Sequence, residues 1–458
     1  MSMNEEQLLS DEARYCSHGD TVHYVNPPKI FERCQGSYLF DAQGTPYLDL
    51  QMWYSAVNFG YANPRLDNAL KKQIDVLPQL ASQYLHPTKI ELSKVIAQDM
   101  ERKFGLPGRV HFNVGGSQSV DDSLKLVRNF THGKSRMFAF EGGYHGRTLG
   151  ASAITSSYRY RRRFGHFGER AQFIPFPIHS AVKEGCRRKS MPRSWWPILP
   201  AYLKMSITAS GTQGARSGIC GLYIEPIQGT GGYVIPPRNF FPALKKVLDE
   251  HGILLVVDEI QMGFYRTGKL WSVEHFGITP DVLIFGKALT NGLNPLAGIW
   301  AREEMINPQI FPVGSTHSTF ASNPLGTAVG LEVMQMLAEK DYEKQVSEKG
   351  AYFLEGLKTL QRQHKEIGDV DGLGLALRAE LCQADGFTPD KALLDKMVDI
   401  GLSGTLEYQG QKTGLVLDVG GYYKNVITFA PSLEISRAEI DQAITLLDQA
   451  LTRAKQQR

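Results

Sequence analysis

The chain has 458 residues, 42% hydrophobic and 21% charged, enough for two or three core-bearing units and incompatible with a largely disordered polymer. Its formal net charge of +3 is too small to imply a nucleic-acid partner. Five cysteines (Cys16, Cys34, Cys186, Cys220, Cys382) cannot all pair within the chain and show no CxxC spacing, so reduced thiols in a cytoplasmic setting are expected.

The N-terminus, MSMNEEQLLSDEARY, is acidic and polar and lacks a signal-peptide core, and no apolar run is long enough to cross a bilayer. A soluble, cytoplasmic protein with no membrane partner is expected. SYLFDAQGTPYLDLQMW (37–53) then predicts a β-hairpin around the turn AQGTP. Helical spacing over 88–104, a strand at RVHFNV, a helix at DDSLKLVRNF and a strand at RMFAFE begin an α/β alternation. It resumes with the strands GLYIEP, ILLVVDE, DVLIFG and LAGIWA, the first two separated by a helix over 237–252. Short apolar runs with helices between them predict a mostly parallel sheet covered on both faces. The last two strands have no helix between them, which predicts an antiparallel member there.

The segment 178–219 stands apart: it is rich in Arg, Lys, Ser, Pro and Trp and has no periodicity. A mobile surface insertion and a sequence error that scrambles a crossover helix both account for it, and no function is assigned to it. After a helix over 322–339 the pattern shifts to strands at GLGLALRAEL, GLVLDV and VITFAP, interleaved with helices at KALLDKMVDIG and SRAEIDQAITLLDQAL. The last helix opens on a capping box, Ser436 and Glu439. This stretch reads as a smaller α+β domain.

Chemistry concentrates at the strand ends. ILLVVDE ends in Asp258 and Glu259, and DVLIFG runs into Lys287. An acid and an amine at the carboxyl ends of two interior strands sit where open α/β sheets bind ligands. Pyridoxal phosphate (PLP) needs both, a lysine to form its Schiff base and an acid for its ring nitrogen. Gly115, Gly116 and Ser117 end a strand, and Ser119 is placed to cap the next helix, whose start suits a phosphate. Gly–Ser turns before helices are also common structural features. In EGGYHGRTLGA, Tyr144 and His145 follow paired glycines, where an aromatic ring can stack on a flat cofactor or serve only as core. Glu225 and Gln228, in YIEPIQGTGG, lie past a buried strand in a loop whose glycines permit close backbone approach; a plain Gly/Pro turn is the alternative. GSTHSTFASNP is a hydroxyl-rich loop that suits a phosphate or a simple helix cap. GFYRTGKL fits GxxxxGK, but Leu270 replaces the magnesium-binding Ser or Thr and no helix starts at Lys269, so ATPase chemistry is excluded.

These segments together resemble the class III PLP-dependent aminotransferases, relatives of ornithine and 4-aminobutyrate aminotransferases. DEIQMGFYRTGKLW followed by FGKALTNG is the specific part. The resemblance implies a type I fold: an N-terminal segment (1–70) contributing to a small domain, a large PLP-binding domain (71–335) and a C-terminal small domain (336–458). It implies Lys287 as the Schiff-base lysine, Asp258 on the ring nitrogen and Gln261 on the phenolic oxygen. Gly116 and Ser117 would hold the phosphate, Tyr144 would stack on the ring, and His145 and Glu225 would join the cofactor site. Thr319 would complete the phosphate site of a neighbouring subunit, so a homodimer is implied. Trp53, Tyr54, Gln228 and Thr230 fall near the substrate mouth, and Trp53 and Tyr54 there suggest an apolar or cationic-amine pocket. Two positions depart from many glutamate-using members: Thr230 replaces a Glu, and Thr428 replaces a carboxylate-clamping Arg. The expected reaction moves an amino group from an amine or ω-amino acid to a 2-oxo acid. An aminomutase, decarboxylase or racemase of the same fold, or a non-catalytic member, is the alternative.

Overall fold

A computed structural model describes residues 5–17, 19, 25–157, 160, 164–165, 168, 171–177, 201 and 218–457. The anomalous segment 178–219 lies outside the described residues except at 201, 218 and 219. In chain order the first elements are α1 (Glu5–Tyr15), β1 (Arg33–Gln35), β2 (Tyr38–Phe40), β3 (Pro46–Asp49), α2 (Pro64–Val76), α3 (Pro87–Phe104), β4 (Gly108–Asn113) and α4 (Gly116–Phe130). Next come β5 (Arg136–Phe140), α5 (Leu149–Ile154), β6 (Gln172–Ile174), β7 (Ile219–Ile224), α6 (Phe240–His251), β8 (Leu254–Asp258), β9 (Val282–Phe285) and β10 (Ala297–Arg302). The chain ends with α7 (Pro324–Glu339), α8 (Tyr342–Gln363), β11 (Ile367–Leu373), β12 (Ala376–Leu381), α9 (Lys391–Leu402), β13 (Leu406–Tyr408), β14 (Gln411–Val416), β15 (Asp418–Gly420), β16 (Val426–Phe429) and α10 (Arg437–Gln456).

The central sheet runs β4-β10-β9-β8-β7-β5-β6. Strands β6, β5, β7, β8 and β9 are parallel, and β10 pairs antiparallel with both β9 and β4. The antiparallel member therefore sits next to the Lys287 strand, as its sequence predicts. Every residue of β7, β8 and β9 is buried, which is why these strands read as unbroken apolar runs. Alternate residues of β8 serve opposite cores: Leu255 and Val257 belong to the core that also holds Phe241 and Leu244 of α6, while Leu254 and Val256 belong to the one that holds Val120 and Val127 of α4. Burial of each such side chain contributes about 1.5–3 kcal/mol.

A second sheet, β1-β2-β3-β14-β13, joins the two ends of the chain, because β14 pairs parallel with β3 (Leu415 opposite Leu48). A third is β11-β12-β16-β15. The expected capping box closes α10: Glu439 N donates to Ser436 Oγ at 3.2 Å and Ser436 N to Glu439 Oε2 at 2.6 Å. One guanidinium knits remote segments. Buried Arg266 donates to the carbonyls of Leu375 (3.1 Å) and Pro431 (2.6 Å) and to the side chain of Asn58.

Three local expectations are corrected. GLGLALRAEL, read as one strand, turns at Gly374 (φ +58°) to split β11 from β12; a Cβ there would lie 2.5 Å from the Thr267 carbonyl carbon, so only glycine fits. GLVLDV divides at Leu417, with β14 joining β3 and β15 joining β16. Ser119 does not cap α4. The helix begins three residues earlier, with Gly115 as its N-cap, and the Ser119 hydroxyl donates back to the Gly115 carbonyl at 3.3 Å.

Candidate active site

Asp258 and Lys287 converge. β8 and β9 are neighbours in register, with Asp258 opposite Ile284, so both chains leave the sheet at its carboxyl edge. Lys287 stands three residues beyond Ile284 with φ +43°, a left-handed conformation that costs a non-glycine residue about 1–3 kcal/mol. Its side chain lines a cavity of about 1760 Å³. Burial holds its pKa below that of an ordinary lysine, against the opposing charges of Asp258, Glu225 and Asp418. Lys287 is thereby biased towards the neutral amine, the nucleophilic form.

Asp258 is 5% exposed. Its Oδ1 accepts from Ile260 N at 3.1 Å, and its Oδ2 is 2.8 Å from Nδ1 of the buried His145. Burial alone would lower the His145 pKa, but the Asp258 carboxylate overrides it and raises it. Neither His145 nor Asp258 is among the residues lining the cavity, and His145 reaches the site through its bond to Asp258. Glu225 lies in the same buried cluster, accepting from the backbone N–H groups of Tyr144 and Gly229, each at 2.8 Å. Burial pushes its pKa up to about 7.

The glycines of these turns hold the parts together. A Cβ on Gly116 would come within 2.8 Å of Ile260 Cδ1, and the same isoleucine lies under Gly286, just before Lys287. A Cβ on Gly229 would collide with Gln261 Oε1. Gln261 lines the cavity and donates to the Tyr233 hydroxyl at 3.2 Å. At the start of α4, no described residue accepts from the backbone N–H of Gly116, Ser117 or Gln118, and the Ser117 hydroxyl accepts from Arg147 N at 3.2 Å. Tyr144 lines the cavity, edge-on to Tyr160 at 5.2 Å, with the Arg147 guanidinium over both rings.

The expected substrate residues divide. Tyr54 and Thr230 line the cavity. Trp53 does not: it is 52% exposed and packs over Gly292. Gln228 is likewise turned away, donating to the Glu141 carbonyl at 2.8 Å. Residues Met52–Ser55 all have positive φ, a left-handed turn held by Asp49, whose Oδ1 accepts from Gln51 N (2.7 Å) and Met52 N (3.0 Å). Thr319 is exposed in the 312–322 loop and is absent from the cavity wall of its own chain.

One residue escaped the sequence reading. Asp418 starts β15, is 6% exposed, lines the cavity and accepts a hydrogen bond from the Thr428 hydroxyl. The signal was available: an acid ending the apolar run GLVL, as Asp258 ends ILLVV.

This donor set fits PLP. A strained, deprotonation-prone amine faces a buried carboxylate, a helix start offers vacant N–H donors for a phosphate, and an aromatic ring flanks the space between. Among the described residues no group of three or more metal-ligand side chains occurs, and no helix is long and apolar enough to cross a membrane. Residues 21–451 match the family model described as aminotransferase class-III. The chain is 30% identical over 447 residues to an alanine/serine racemase from Pyrococcus horikoshii, covering 97% of this chain and 90% of the relative. It is also 30% identical over 438 residues to an ornithine aminotransferase from Brevibacillus brevis, covering 94% and 95%. An amine transaminase from an uncultivated Pseudomonas species, solved in its PLP-bound form, superposes with a TM-score of 0.84 at 25% identity, covering 96% and 98%.

Proposed function

The chain belongs to the class III aminotransferase family, a PLP-dependent family of the type I fold, and we propose that Lys287 is the lysine that carries the cofactor. The reaction is transamination, from an amine or ω-amino acid to a 2-oxo acid. The observation that carries the lysine assignment is the convergence of Lys287 and Asp258 at the mouth of adjacent parallel strands.

PLP, when bound, supplies an electron sink for the carbanion left by loss of a substrate proton. The protein supplies the rest. Asp258 would hold the protonated ring nitrogen, and His145 positions Asp258 and adds a second charge-assisted bond. Gln261 would hold the phenolic oxygen and Tyr144 would flank the ring. The vacant N–H groups of Gly116 and Ser117 would hold the phosphate. Lys287, whose pKa burial lowers, would carry the cofactor and, once released, serve as the base for the substrate Cα proton. General acid–base transfer of this kind contributes roughly 10²–10⁴-fold.

The working unit on this reading is a cytoplasmic homodimer in which the partner subunit's Thr319 completes the phosphate site. Supporting this, the loop that bears Thr319 also exposes Val313 (92%) and Phe320 (69%), and it bonds through His317 and Ser322 to a stretch that exposes Tyr84 and Leu85. Residues 1–70 and 336–458 are taken as the small domain and 71–335 as the large one, since β3 and β14 share a sheet. The racemase relative favours a second reading, racemisation without amino transfer. One turnover with a single enantiomer of an amino acid such as alanine and no 2-oxo acid separates them. A transaminase leaves the cofactor as pyridoxamine phosphate; a racemase returns it unchanged and inverts the substrate.

A further inference from the structure

We propose that Glu225 is a positioning residue for the cofactor: its carboxylate ties the turn that presents Tyr144 to the loop that aims Gln261, so that both close on one ring. The inference rests on the PLP reading above and goes beyond it, giving a role to a buried acid that takes no part in the proton transfers. Glu225 follows β7 directly and is 6% exposed. Its two oxygens are divided between two segments: Oε1 accepts from Tyr144 N and Oε2 from Gly229 N, each at 2.8 Å. Tyr144 and Gly229 both line the cavity that Lys287 lines. A buried carboxylate is costly unless its oxygens are hydrogen-bonded, and here each bond falls on the backbone of a cavity residue.

Beyond Gly229, both ends of the Gln261 carboxamide are set by the same loop. Its Oε1 lies against Gly229, where a Cβ would collide with it, and its Nε2 donates to the Tyr233 hydroxyl at 3.2 Å. The loop folds back on Gly229, whose carbonyl accepts from Gly232 N (2.9 Å) and Tyr233 N (3.3 Å). Anchoring Gly229 N therefore fixes Gln261, anchoring Tyr144 N fixes the aromatic ring, and one side chain sets the distance between them. A glutamine at 225 has nearly the same shape but a single acceptor oxygen. Its NH2 group would face one of the two N–H donors and release that segment. A second strap, from Gln228 Nε2 to the Glu141 carbonyl at 2.8 Å, joins the same two segments, so loss of the Glu225 carboxylate loosens their aim without separating them.

The test is PLP binding to the cofactor-free protein, read by fluorescence titration, with the circular dichroism of the bound cofactor reporting how the ring is held. Glu225→Gln should weaken PLP about tenfold or more, the scale of one hydrogen bond to a charged group, and reduce the cofactor's dichroism at saturation. Glu225→Asp, with a carboxylate one methylene shorter, should fall between the two, and repeats the comparison should Glu225→Gln fail to fold. In a Tyr144→Leu, Gln261→Ala background the Glu225→Gln change should weaken PLP less than about threefold, because the groups it aims are gone. Melting temperatures of the cofactor-free proteins confirm folding in each background. An equal loss in both backgrounds, or wild-type affinity and dichroism in Glu225→Gln, overturns the Glu225 assignment and leaves the cofactor reading intact. Wild-type protein that takes up no PLP overturns the cofactor reading, and the Glu225 assignment with it.

Discussion

Replacing Asp258 with Asn removes one charge with almost no change of shape. Asp258 is 5% exposed and its carboxylate meets His145 at 2.8 Å in a site that excludes water. An opposite charge in such a place moves a partner's pKa by about 1–3 units, and each unit is about 1.4 kcal/mol. Loss of Asp258 therefore lets the cofactor ring nitrogen deprotonate and raises the barrier to proton removal by about 1.4–4 kcal/mol. That corresponds to a fall in kcat of about 10- to 10³-fold. A second effect, of the same sign, falls on His145. Its pKa is raised because Asp258, with a smaller part from Glu225, outweighs burial; with Asn in place most of that pull is lost and His145 becomes neutral at lower pH. Single-turnover kinetics would read the first effect. Nitrogen-15 spectra of the histidines, assigned with a His145→Gln control, would read the second. A kcat within threefold of wild type, with His145 titrating unchanged, refutes the reasoning.

Gly229→Ala should displace Gln261, with which a Cβ at 229 collides, and weaken PLP binding measured by fluorescence titration while the melting temperature of the cofactor-free protein changes little. Glu225 has its pKa pushed up to about 7 from an ordinary value of 4.5, so its contribution to stability is full below the unfolded value and is lost as pH rises through about 7. Glu225→Gln should flatten the decline in melting temperature of the cofactor-free protein between about pH 5 and 8; an unchanged slope contradicts the assignment. Arg266→Met removes the cation shared by Leu375, Pro431 and Asn58 and leaves buried acceptors without donors. It should cost about 3 kcal/mol or more in urea unfolding, without altering the absorbance of bound cofactor.

Much of this site was legible because its chemistry sits where patterns break. Asp258 and Lys287 each interrupt an apolar strand, and the strands β7, β8 and β9 are buried end to end, so a charge at their tips stands out. What the sequence concealed depends on contacts between distant segments. His145 reads in the sequence as a ring near the cofactor, and only the fold shows its bond to Asp258. Gln228 is taken up by the Glu141 carbonyl, and Trp53 is turned outward by a left-handed turn that Asp49 holds; neither is encoded by local spacing. The two small-domain strands misread as single units break where other backbone crowds in, at Thr267 against Gly374, or where one run serves two sheets, at Leu417. Asp418 was overlooked although it repeats the Asp258 signal.

Borohydride reduction of the PLP-loaded enzyme followed by peptide mass mapping tests the central assignment most directly. The account predicts a single pyridoxyl-phosphate adduct on the peptide containing Lys287, absent in Lys287→Ala. An adduct on another lysine, or none in a protein that still transfers amino groups, contradicts it.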